Sequence, residues 1–348
     1  MRLALLSLVL LCACGRTQPV HYSSYGDEDD ERTRLPDGGI ACADGNLALL
    51  PARPVVMLVV DRSSSMNQSF PGTGMSKWAS LKGALHQQLP SWNDSLELGV
   101  MFFPSGSGSS CAVNSTADLT PAFQSVPQVL SLLDARNPGG ATPTALAIEN
   151  AGTVLTGLRT ASSAKAVILA TDGAPDCNGA LSPSTCTCVG GSSTCAATRC
   201  LDDLRTVDRV TQLFLTGIPT WVIGLRSSSD AEFVSVLNRM ADAGGRPMSG
   251  ADHFFSASSQ TELETAFSDI RKQVGACRYL TTSVPDIGGS IELYVDGQFT
   301  PYDETGVEGW QWVDPGNGEL KLVGTACTRA EATTIDKLSV VVRCAQSP

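Results

Sequence analysis

Asp61, Ser63 and Ser65 stand at alternate positions near the end of the run 55–66, which reads V-V-M-L-V-V-D-R-S-S-S-M. One carboxylate and two hydroxyls so close together make a cluster of hard oxygen donors, the ligand type that suits Mg²⁺, Mn²⁺ and Ca²⁺. A second carboxylate, Asp172, closes another apolar run, A-V-I-L-A-T-D-G. Between them comes Gly139-Gly140-Ala141-Thr142-Pro143-Thr144, a glycine-rich turn that adds a hydroxyl, with Thr144 a lesser substitute for Thr142. Each piece has an ordinary reading. Asp and Ser crowd the exits of strands, Asp-Gly is a common tight turn, and Thr142-Pro143 is a good start for a helix. The conjunction is what informs: two carboxylates on one sheet edge repel unless separated or neutralised, and a divalent cation neutralises them.

The elements that must position these residues follow from the apolar pattern. From 54 to 276 short apolar runs at 55–60, 96–103, 166–171, 220–225 and 253–256 alternate with amphipathic stretches at 76–89, 126–134, 143–158, 197–216, 230–242 and 259–275. A short extra strand is placed at 112–114. Uninterrupted apolar strands are buried on both faces, so this is an α/β domain with a doubly wound, mostly parallel sheet flanked by helices. Asp61 and Asp172 both end such strands and therefore share the carboxyl edge, where open sheets of this type hold ligands. After Cys277 the helical period gives way to β-rich runs at 278–283, 290–296, 309–313, 319–323 and 337–343, separated by turns such as Asp314-Pro315-Gly316-Asn317-Gly318. Residues 277–348 read as a small, disulfide-stapled, all-β appendage, with Trp310 and Trp312 alternating along one strand.

The set Asp-x-Ser-x-Ser, a later Gly-Gly-x-Thr and a later strand-terminal Asp-Gly resembles the von Willebrand factor A domain with its metal-ion-dependent adhesion site. The resemblance spans 54–276. It implies that Ser63, Ser65 and Thr142 ligate a metal through their hydroxyls, with Asp61 and Asp172 acting directly or through water. It further implies Mg²⁺ as the first choice of cation, with Mn²⁺ or Ca²⁺ as alternatives, and one open coordination position for an acidic side chain of a protein partner. Two positions depart from the pattern: Ser64 stands where members commonly have glycine, and Ala141 separates the glycines from Thr142.

A chain of 348 residues with 42% hydrophobic and 17% charged residues holds one large domain and a smaller one. Its net charge of −11 argues against nucleic-acid binding. Residues 1–14 form an export signal, with Arg2 before an apolar core too short to span a membrane. Leu11-Cys12-Ala13-Cys14 followed by Gly15 looks like a bacterial lipobox, which makes Cys14 the lipidated first residue of the mature protein and resembles the pattern of outer-membrane lipoproteins. Residues 15–50, with Gly26-Asp27-Glu28-Asp29-Asp30-Glu31, read as an acidic flexible tether.

Twelve cysteines point to an oxidising compartment, and setting aside Cys12 and Cys14 leaves ten to pair. Five of these (Cys177, Cys186, Cys188, Cys195, Cys200) follow Asp172 closely, so at least one pairs outside the group, with Cys42 or Cys111 as partner. Zinc is the weaker reading of that cluster, since it has no Cys-x-x-Cys pair and no neighbouring histidine. The leading function is a non-enzymatic, cation-dependent protein-binding lipoprotein of the cell envelope, in adhesion or envelope assembly. Its rivals are a structural scaffold with a stabilising metal, and a serine or metal-assisted hydrolase. The last is disfavoured by the scarcity of histidine (His21, His86, His253) and the lack of a Gly-x-Ser-x-Gly elbow.

Overall fold

The computed structural model describes residues 39–345 apart from 71–72, 108, 161–163, 190–194 and 227–230. The export signal, Cys14 and the tether up to residue 38 lie outside the described residues. The first strands are short: β1 (Gly45–Ala48) and β2 (Leu50–Pro51). The α/β domain then runs through β3 (Val55–Asp61), α1 (Lys77–Gln88), β4 (Glu97–Phe103), β5 (Leu119–Phe123) and α2 (Val126–Asp134). It continues with α3 (Thr144–Gly157), β6 (Lys165–Thr171), α4 (Asp203–Leu215), β7 (Thr220–Leu225), α5 (Ala231–Ala243), β8 (Phe255–Ala257) and α6 (Gln260–Gln273).

These strands form one sheet in the order β5-β4-β3-β6-β7-β8. All neighbours are parallel except β5, which runs antiparallel on the edge. Every residue of β3 is buried, and alternate side chains face opposite layers. Val56, Leu58 and Val60 meet Leu81, Leu85, Phe267 and Ile270 from α1 and α6. Val55, Met57 and Val59 meet Ile148, Leu155, Val210 and Leu237 from α3, α4 and α5. The chain winds from β3 to β4 on one side and returns to β6 on the other, so the winding reverses between β3 and β6. Asp61 and Asp172 lie at the carboxyl ends of these two strands, at the switch point.

The expected strands and helices of this domain are present, with two differences. The strand placed at 112–114 is absent, and the additional edge strand of the sheet is instead Leu119–Phe123. The helix placed at 197–216 begins at Asp203, after a short 3₁₀ turn at Ala197–Arg199.

The remaining strands are β9 (Arg278–Leu280), β10 (Ser290–Val295), β11 (Gln298–Thr300), β12 (Gly309–Asp314) and β13 (Glu319–Val323), followed by α7 (Thr325–Glu331) and β14 (Leu338–Arg343). They form two four-stranded antiparallel sheets, β1-β14-β10-β11 and β12-β13-β9-β2. One core of Leu49, Leu293, Val295, Leu320, Leu322, Val340 and Val342 joins both sheets with Ala326 and Ala330 of α7. Trp310 and Trp312 meet edge to face, with ring centroids 5.2 Å apart. The appendage is thus not built from 277–348 alone. Residues 45–51, read from sequence as the end of the tether, supply a strand to each of its sheets.

The α/β domain is consequently inserted in a small sandwich, between β2 and β9. Its two connections run side by side: Ala52 N–H donates to the Arg278 carbonyl at 3.0 Å. Gly275 sits at φ +69°, and a Cβ there would come within 2.4 Å of Pro54 Cγ, so the position requires glycine. The disulfides Cys42–Cys344 and Cys277–Cys327 staple the sandwich.

Candidate metal centre

Asp61 is the last residue of β3 and is wholly buried. Its Oδ1 accepts from the Ser63 amide at 2.7 Å and its Oδ2 from Thr171 Oγ1 at 2.6 Å, so both oxygens are held. The Ser63 amide bond makes a tight turn that sends Ser63 and Ser65 back over the end of the sheet. Their hydroxyl oxygens are 2.9 Å apart. Ser65 Oγ in turn donates to Asp172 Oδ1 at 2.7 Å. The structure therefore brings Asp61, Ser63, Ser65 and Asp172 into one chain of hydrogen bonds, although Asp61 and Asp172 are separated by about half of the α/β domain's sequence.

Thr142 joins from the other side. The helix start expected to engage it as a cap does not do so: α3 begins at Thr144 with Pro143 in the cap position and no capping side chain. Among the described residues the Thr142 hydroxyl makes no hydrogen bond to another protein group, and the residue as a whole is 6% exposed. A Cβ placed on Gly173 would stand 3.8 Å from Thr142 Oγ1 and 3.9 Å from Ser65 Oγ, so the two hydroxyls flank the same backbone position. Thr144 is committed elsewhere, its hydroxyl donating to the Thr142 carbonyl at 3.4 Å. Ser64, the departure from the expected glycine, fits without strain: its amide and hydroxyl both donate to the Gly140 carbonyl at 3.0 Å, tying the serine turn to the glycine turn.

Three participants were not visible in the sequence. Thr171 holds Asp61, as above. Asp176, itself buried, accepts from the Thr142 amide at 2.6 Å and fixes the glycine turn against the loop after β6. Lys77, the first residue of α1, extends into the site and donates to Asp172 Oδ2 at 2.7 Å, with 3% of the lysine side chain and none of the aspartate's exposed. Each of these contacts spans tens of residues, and a lone Lys or Asp in a polar stretch gives no local sign of it.

The electrostatics follow from burial. Loss of water, together with the nearby charge of Asp172, pushes the Asp61 carboxyl up to about 7, against the pull of its hydrogen bonds from Thr171 and Ser63. Asp176 is pushed up to about 6, chiefly by burial and against the Thr142 hydrogen bond. Two carboxylates, a pair of touching hydroxyls and an unpartnered third hydroxyl form a set of hard donors that fits Mg²⁺, Mn²⁺ or Ca²⁺. The cysteines near the site offer no rival metal centre, because they are bonded to one another: Cys111–Cys177, Cys186–Cys200 and Cys188–Cys195. The first of these joins the loop after β4 to the loop after β6, beside the carboxyl edge. His86 and His253 are engaged by Asp134 and Asp242 at 3.1 and 2.7 Å, away from the serines.

Residues 56–174 match the family model described as von Willebrand factor type A domain. No curated protein matches the chain. Among solved structures it is similar to the PilB minor pilin of Streptococcus sanguinis, at 17% identity and a TM-score of 0.45, over 64% of this chain and 62% of the pilin. It is similar to the pilus adhesin SpaC of Lactobacillus rhamnosus GG at 14% identity and a TM-score of 0.46, over 85% of this chain and 40% of the adhesin. A third similarity is to the vWF domain of the type V pili tip protein Mfa5 of Porphyromonas gingivalis, at 13% identity and a TM-score of 0.44, over 65% of this chain and 96% of that one. The chain spans less than two thirds of the first two. Likenesses of this size carry no functional weight.

Proposed function

We propose that this chain, which carries a von Willebrand factor type A domain, is a cell-envelope protein that binds a protein partner through a divalent cation. The observation that carries the reading is the convergence of Asp61, Ser63, Ser65, Thr142 and Asp172 at the switch point of the sheet, with the Thr142 hydroxyl unpartnered. Those five residues would hold the ion, Mg²⁺ first, and the ion would supply a Lewis-acidic position for a carboxylate of the partner. The protein's own part is to fix the donors. Thr171 and the Ser63 amide hold Asp61, Asp176 holds the Thr142 backbone, and Ser64 locks the two turns together. Hydroxyls as the direct donors add no negative charge, so a bound ion keeps its attraction for an acidic group.

Five disulfides support a place in an oxidising compartment. The export signal and the lipobox-like Cys14 support a lipid-anchored protein, which we place at the outer membrane. Among the described residues no helix is long and apolar enough to cross a membrane. The hydrolase reading lacks a histidine beside its serines among the described residues, since His86 and His253 are held by Asp134 and Asp242, and we place the protein outside the enzymes.

The test is capture of partners from envelope extract by the full chain with Mg²⁺, with EDTA, and with Asp61→Ala as bait. A partner retained with Mg²⁺ and lost in the other two samples is the expected result. Equal capture by a folded Asp61→Ala chain sinks the proposal. If Mg²⁺ raises the melting temperature but no capture depends on it, the scaffold reading replaces it.

A further inference from the structure

The Lys77–Asp172 pair has no explanation in the fold. Burying an ammonium is costly, and a lysine in the first turn of a helix opposes the helix dipole. The helix start has its own cap, Ser76, whose side chain accepts from the Ala79 amide at 3.1 Å. Lys77 is fixed in place by its backbone, the amide donating to the Gln68 carbonyl at 2.8 Å, and its side chain is spent wholly on Asp172 Oδ2. Asp172 Oδ1 is left facing Ser65.

We infer that Lys77 is the built-in counter-ion of the metal centre: it holds Asp172 in place without a divalent cation, weakens the grip on that cation, and leaves the loaded centre positively charged, so that cation and acidic ligand bind cooperatively. This rests on the metal reading given above. The groups that touch the donor set at close range are two carboxylates, Asp61 and Asp172, and one ammonium. With both carboxylates ionised, the state a divalent ion favours, they carry one net negative charge, and the ion turns it into one net positive charge. Asp176 stands behind the Thr142 amide, with Arg199 and Asp202 acting on it in opposite directions. Without Lys77 the loaded centre would be neutral and would attract a carboxylate less. The same substitution should therefore move the two affinities in opposite directions, which a merely structural lysine would not do.

The experiment titrates Mn²⁺ into the full chain, reading free Mn²⁺ by electron paramagnetic resonance, with and without acetate as the simplest acidic ligand. Wild type should bind Mn²⁺ weakly and more tightly when acetate is added. Lys77→Met should bind Mn²⁺ at least about tenfold more tightly, as expected for removing a like charge a few ångströms from the ion, and acetate should help less than it does in wild type. Lys77→Arg should behave as wild type. Should Lys77→Met not fold, Lys77→Gln takes its place, since its amide can still donate to Asp172 without the charge. Mn²⁺ affinity unchanged or weaker in the folded neutral variant overturns the inference, while binding by wild type that Asp61→Ala abolishes keeps the metal reading intact. No Mn²⁺ binding by wild type or by the neutral variants overturns both.

Discussion

The two ends of the central sheet differ instructively. At the amino end, where the α/β domain meets the sandwich, lies a cleft of about 1080 Å³ lined by Lys165, Trp221, Arg246 and Arg278, among others. Its charges have local duties. Lys165 donates to the carbonyls of Leu155 and Leu158 at the end of α3, Arg246 lies 4.8 Å above the Trp221 ring, and Arg278 pairs with the buried Glu319 at 3.1 Å. At the carboxyl end the charged groups are more deeply buried, and Lys77 and Asp172 are spent on each other rather than on the fold around them. Volume marks a junction between two bodies. Buried polar groups that converge without a local duty mark a site.

That contrast can be broken at its strongest point first. Asp172→Ala leaves the Lys77 ammonium buried and uncompensated, and should cost about 3–5 kcal/mol of stability in a denaturant titration. A loss below about 1 kcal/mol would mean that the pair is better solvated than its burial indicates.

Next in size is a pH effect. The Asp61 carboxyl stands at about 7 in the folded chain and at 3.8 in the unfolded one. Between those values the folded chain holds the extra proton. Stability in EDTA should thus fall as pH rises from about 4 to about 7, by at most about 1.4 kcal/mol per pH unit from this group. Mg²⁺ favours the ionised carboxyl, so the rise in melting temperature on adding Mg²⁺ should be larger at pH 7.5 than at pH 5. A Mg²⁺ effect independent of pH would separate Asp61 from the ion.

The smallest effect belongs to the amino end. Arg246→Ala gives up an exposed cation–π contact and should cost about 1 kcal/mol or less by the same titration. A loss comparable to that of Asp172→Ala would erase the distinction between the two ends.

The parts of this arrangement legible in sequence are those that local pattern encodes. Strands buried on both faces read as continuous apolar runs, so β3, β4, β6 and β7 were plain, and so were the aspartates that end two of them. The strand Leu119–Phe123 escaped because it is a short edge strand with Pro121 inside it, which suits only such a position. β1 and β2 follow an acidic stretch, and their partners lie more than 200 residues downstream, so nothing nearby announced them. The same holds for the site. Asp61, Ser63 and Ser65 share one turn, whereas Lys77 and Asp176 acquire meaning only when folding brings them to Asp172 and Thr142. Cys111 as the outside partner of the cysteine cluster was one of two options left by parity, and the fold selects it by bringing the loops after β4 and β6 together.

The insertion of the α/β domain between β2 and β9 has a mechanical consequence. A partner pulling on the carboxyl edge while the chain upstream of Cys42 is held would not draw tension along a single strand of backbone. The force would leave the α/β domain through two adjacent connections, at Pro54 and at Gly275, and would spread into both sheets of the sandwich before reaching Cys42. The Cys42–Cys344 bond then clamps the adjacent strands β1 and β14 of the sheet β1-β14-β10-β11. Peeling that sheet apart from the upstream side would require rupture of a covalent bond rather than a row of hydrogen bonds, so the coupling between Cys42 and the site would stay stiff under tension.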